Sequence, residues 1–147
     1  MTFSYGNKFI RNQLNNNAIC GIWGGYSQET TIALNTITNN SSIVAVDGVG
    51  ILAVNSNSIA NNGVINASGP GGGGAAISAG DNNTIANSGV LSAGAGGAGI
   101  FAGINNTITN AAAASITVGD DARGIYLAGG NNRVTNAGAI TAGNTTG

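Results

Sequence analysis

The stretch Asn83-Thr84-Ile85-Ala86-Asn87-Ser88-Gly89-Val90-Leu91-Ser92-Ala93-Gly94 decides the fold, because its grammar recurs along the chain. The full copy around it starts at Ala75, and three others start at Gly50, Gly99 and Gly124. Each copy holds three short pieces. The first is Ile51-x-Ala53, Ile77-x-Ala79, Ile100-x-Ala102 and Ile125-x-Leu127. The second is Ile59-x-Asn61, Ile85-x-Asn87, Ile108-x-Asn110 and Val134-x-Asn136, and the third is Ile65-x-Ala67, Leu91-x-Ala93, Ile116-x-Val118 and Ile140-x-Ala142. A branched residue followed two positions later by a small or apolar one is a period-2 signal, so each piece reads as a short strand. Gly, Asn and Ser between the pieces supply turns. Three strands per repeat with no helical segment between them predict one coil of a parallel β-helix.

The spacing agrees. Ile59 to Ile85 is 26 residues, Ile85 to Ile108 is 23 and Ile108 to Val134 is 26. A solenoid absorbs such changes at a corner while its strands stay stacked, and Ala111 to Ala114 reads as one of these insertions. Strands stacked about 4.8 Å apart place an Ile ladder inside each face. They also place an inward Asn ladder at Asn61, Asn87, Asn110 and Asn136, whose amides satisfy one another.

Residues 1–40 use a second form of the repeat. Asn12, Leu14 and Asn16 recur 23 residues later as Asn35, Ile37 and Asn39. Five of the seven aromatic residues lie here, namely Phe3, Tyr5, Phe9, Trp23 and Tyr26. The change of repeat type falls near 41–47, where Ile43-Val44-Ala45-Val46 reads as a bridging strand. The expectation is an all-β chain, a single parallel β-solenoid over 1–147 of about six coils of 22–26 residues.

Composition removes several functions. The net charge is −1, there is no His, and charged residues make up 6% of the chain. So weak a charge argues against nucleic acid or an anionic membrane as partner. No apolar run is long enough to insert in a membrane as a helix. A low-complexity linker is the bland reading of 26 Gly, but linkers have no branched residues recurring in register. The single cysteine, Cys20, sits in an apolar run and reads as a buried filler.

Two families can now be named. Residues 48–147 resemble the passenger repeats of autotransporter adhesins and related large bacterial exoproteins. The carrying residues are Asn83-Thr84-Ile85-Ala86-Asn87-Ser88-Gly89, Asn106-Thr107-Ile108-Thr109-Asn110 and Asn132-Arg133-Val134-Thr135-Asn136-Ala137-Gly138, with Gly99-Ile100 and Gly124-Ile125. Residues 6–46 are similar to parallel β-helix repeats of the NosD and carbohydrate-binding type, through Asn12-x-Leu14-x-x-Asn17 with Gly21-Ile22 and Asn35-x-Ile37-x-x-Asn40. The resemblance implies a right-handed solenoid at the cell surface or outside the cell. No targeting segment is seen at Met1 to Gly6.

Candidate chemistry is sparse. Enzymes on this fold need paired carboxylates, or a base beside metal-binding acids. The acids are Glu29, Asp47, Asp81, Asp120 and Asp121, and only the last two adjoin. They read as a turn with a local Asp–Arg pair to Arg123, so no catalytic, cofactor or metal residue is expected. Gly71 to Gly74 lacks the Gly-Gly-x-Gly-x-Asp calcium repeat, and no Lys follows it to make a phosphate cradle. Thr36-x-Thr38 and Thr107-x-Thr109 suggest an ice-binding array, but Ala60, Ala86 and Arg133 break it. Trp23 and Tyr26 could stack on a sugar, or cap the first coils.

The expected function is therefore structural and adhesive, a non-catalytic rod presenting loops at Gly69 to Gly74, Ala93 to Ala98 and Gly119 to Arg123 to a host-surface or glycan ligand. The alternative is a subunit that pairs with itself end to end into a filament. A polysaccharide-processing enzyme ranks below both.

Overall fold

In a computed structural model the described residues are 4–5, 8–10, 13–15, 27–28, 31–46, 48–68 and 73–145, with backbone alone up to residue 33. They form an all-β parallel solenoid without a helix.

Three stacks of strands make three faces. Face 1 holds β8 (Ile51–Ala53), β11 (Ala75–Ala79), β14 (Ala98–Ala102) and β17 (Arg123–Leu127). Face 2 holds β3 (Gln13–Asn15), β6 (Thr36–Asn39), β9 (Ser58–Asn61), β12 (Thr84–Asn87), β15 (Thr107–Asn110) and β18 (Arg133–Asn136). Face 3 holds β7 (Ser42–Val44), β10 (Val64–Ala67), β13 (Val90–Ala93), β16 (Ser115–Val118) and β19 (Ala139–Ala142). Two further pairs stand apart: β1 (Ser4–Tyr5) with β4 (Ser27–Gln28), and β2 (Lys8–Ile10) with β5 (Thr31–Ala33).

Every pairing is parallel and in register with the repeat. Ile51, Ile77, Ile100 and Ile125 stack on face 1. Ile37, Ile59, Ile85, Ile108 and Val134 stack on face 2, and Ile43, Ile65, Leu91, Ile116 and Ile140 on face 3. Leu14 pairs with Ile37, as the 23-residue spacing requires. The branched residues alternate with exposed neighbours because side chains in a strand alternate faces. Ile59, Ile65, Ile77, Ile85, Leu91, Ile100, Ile108 and Ile116 are the large side chains of one sealed core. The insertion at Ala111 to Ala114 closes on itself through Ala114 N–H to the Ala111 carbonyl (2.9 Å), and Ser115 rejoins the register through the Gly89 carbonyl (3.0 Å).

The coil count differs from the sequence expectation. All three faces run together for about four turns, from Ile51 to Ala142, and not for six. Among the described residues β5 does not pair with β8, so face 1 begins only after the change of repeat type. β7 bridges that change by pairing with β10.

Candidate functional site

The Asn residues hold the corners on either side of face 2. Asn39, Asn61, Asn87 and Asn110 each donate from Nδ2 to Oδ1 of the Asn one coil on, ending at Asn136, at 2.8 Å in every step. Four of these residues were expected as a ladder; Asn39 extends it into the earlier repeat type. A second ladder was not expected. The backbone N–H groups of Asn35, Asn57, Asn83 and Asn106 donate to Oδ1 of Asn57, Asn83, Asn106 and Asn132 at 3.1, 2.8, 2.7 and 2.8 Å. From Asn35 to Asn110 both sets are buried, Asn61 and Asn110 at 0% exposure. A buried amide with all its partners is stable, whereas an unsatisfied one costs free energy. These residues build scaffold.

Two of the acids, Asp81 and Asp120, also hold corners. Asp81 N–H donates to Asn55 Oδ1 (2.8 Å), and Asp81 Oδ1 accepts the Ile104 N–H (2.9 Å). Asp120 Oδ1 accepts the Asn144 N–H at 2.8 Å. Arg123 starts β17, and its guanidinium carbon lies 4.6 Å from the centre of the Tyr126 ring. Among the described residues no group of three or more His, Cys, Asp or Glu is placed to hold a metal. Cys20, Trp23, Tyr26, Glu29, Asp47 and residues 69–72 lie outside the described residues.

The three loops singled out from sequence come together. Gly73 N–H donates to the Ala95 carbonyl and Gly96 N–H to the Asp120 carbonyl, both at 2.8 Å, so the corners stack into one ridge. Beside the ridge, burial does not alternate: Ala75-Ala76-Ile77 and Ala98-Gly99-Ile100 are each buried three in a row. Beside these strands lies a groove of about 300 Å³. Gly73, Gly96, Ser78, Phe101, Arg123 and Tyr126 are among the residues that line it. Phe101 and Tyr126 pack edge to face, with ring centres 5.3 Å apart.

Sequence reading found the ridge and missed the floor. The signal was present: Phe101 and Tyr126 are the middle residues of Ile100-x-Ala102 and Ile125-x-Leu127, and period 2 sends a middle residue outward. The groove can stack a flat apolar surface on a ring and offer one cation to an anion. No protein-family model, no curated protein and no solved structure matches the chain.

Proposed function

We propose that this chain is a non-catalytic rod that displays its outward residues outside the cell, in the manner of the adhesin passengers its repeats resemble. One observation carries the reading. Inward positions repeat the same residue types through the coils, whereas outward positions at the same register differ. Inside stand Ile59, Ile85, Ile108 and Val134; one place before them, outside, stand Ser58, Thr84, Thr107 and Arg133. Outside on face 1 stand Leu52, Ser78, Phe101 and Tyr126. A scaffold that holds its interior constant and varies its surface is suited to presentation, with function residing in grafted surface groups.

A second reading, self-assembly with another copy, has its own support. Both Asn ladders run one way, and the last coil is half open: Val134 is 39% and Ile140 40% exposed. Asn136 Oδ1 accepts from Asn110, so its Nδ2 faces the position of one more coil. Among the described residues the outer edges of β17, β18 and β19 pair with no further strand, and such edges can take one from another coil. Electron microscopy and light scattering across a concentration series separate the two. Short rods of constant mass support the presenting rod; filaments that lengthen with concentration overturn it in favour of assembly.

A further inference from the structure

We infer that the groove between the glycine ridge and the Phe101–Tyr126 floor is a binding site for an acidic saccharide, one sugar residue lying on Phe101 with its oxyanion on Arg123. The inference rests on the presenting-rod reading and names what the rod would hold.

The cation is the first observation. Arg123 lies over the Tyr126 ring, its guanidinium carbon 4.6 Å from the ring centre. A guanidinium presents a planar N–H fork that matches the two oxygens of a carboxylate or sulfate. Stacking also reduces the side-chain freedom lost on binding. The second observation is the floor. Phe101, only half-buried, offers apolar surface, and Ser78 brings a hydroxyl to the same groove. A pyranose has the complementary build, with a C–H face and hydroxyls around its edge.

A peptide fits less well. Extended peptides gain affinity by adding to a free strand edge. Across the groove β11, β14 and β17 are already hydrogen-bonded to one another. The volume, about 300 Å³, suits one or two sugar residues and not a protein surface.

The test is calorimetric titration of the full chain with four probes: a glucuronate-containing trisaccharide, the same trisaccharide methyl-esterified, a neutral trisaccharide bearing one sulfate, and an acidic tripeptide. The expected result is binding of the glucuronate probe, weakened about tenfold or more by esterification and by Arg123→Gln, since a charge-assisted hydrogen bond is lost. Phe101→Ser should weaken the esterified and acidic sugars alike, because it removes the stacking surface and not the charge. Equal binding of the sulfated probe makes the recognised group an oxyanion in general; weaker binding makes it a carboxylate. The inference is overturned if no saccharide binds, if ester and acid bind alike, or if the tripeptide binds as well as the sugar. Light scattering on the same samples keeps the two questions apart: monodisperse rods that bind nothing remove the groove alone, and filaments remove the rod.

Discussion

At the scale of single residues the structure depends on buried amides. Replacing Asn87 by Ala removes the acceptor of Asn61 Nδ2 and the donor to Asn110 Oδ1 in one step. Stranded buried polar groups cost about 1–3 kcal/mol each, so denaturant titration should show Asn87→Ala destabilised by about 2–5 kcal/mol. Asn87→Asp tests the direction of the ladder. The new carboxylate keeps the acceptor but has no hydrogen for Asn110 Oδ1, and burial favours its protonated form. Its folded-state pKa is thereby raised above the unfolded value, so the variant should gain stability as pH falls through the folded-state pKa, whereas Asn87→Ala should not. This ladder was legible in the sequence, because Ile-x-Asn repeats with the strand period. The ladder through Asn57, Asn83 and Asn106 was not, since an Asn just before a strand reads as turn chemistry. A second corner feature has the same character. The residue before each Asn of that ladder has positive φ: Leu34 (55°), Ser56 (58°), Asn82 (58°), Asn105 (57°) and Asn131 (58°). Leucine is the poorest fit to that conformation, and its side chain is 47% exposed, so little packing is at stake. Leu34→Asn should raise the melting temperature, with a gain of about 1 kcal/mol.

At the scale of the element, the residue just before each branched residue of face 1 follows a packing rule. A Cβ built on Gly50, Gly99 or Gly124 meets Cγ2 of Ile65, Ile116 or Ile140 respectively, the face 3 residue of the same coil. The equivalent of these glycines in the remaining coil is Ala76, and there the face 3 residue is Leu91, which has no Cγ2. Glycine goes with isoleucine and alanine with leucine, so one methyl group is exchanged across the core. Gly124 gives the cleanest test, because Ile140 is the only residue its added Cβ would meet. Gly124→Ala should destabilise by about 1–3 kcal/mol through overpacking. Adding Ile140→Leu should recover most of that loss, which a double-mutant cycle reads as coupling. Additive losses in the cycle would show that the pair is not a fitted one. The Ile-x-Ala pieces placed these strands correctly from sequence. The runs of three buried residues in β11 and β14 were not legible, because they break the period-2 pattern that found the strand.

At the scale of the molecule, the coils form a one-dimensional stack in which each coil contacts only its neighbours. The class of fold was legible because stacking turns a sequence repeat directly into ladders. The number of complete turns was not, since the pairing of β5 with β8 depends on residues between two repeat types and not on the repeat itself. Stacking also sets the terms on which two copies could join. A joining coil must bring an acceptor to Asn136 Nδ2 and an apolar residue to cover Ile140 and Val134. Ile140→Lys places a cation on that surface, the device natural edge strands use against pairing. Because Ile140 is 40% exposed, the lysine ammonium can reach water and the single chain should keep its fold. If the chain forms filaments, this substitution should reduce them to single rods, seen as a constant scattering mass at every concentration. Filaments that persist with Ile140→Lys would place the contact away from the last coil. The contrasting substitution is Ile85→Asp, at a position with 0% exposure in the middle of the stack. A carboxylate there has no route to water, and circular dichroism should show loss of the β-fold itself.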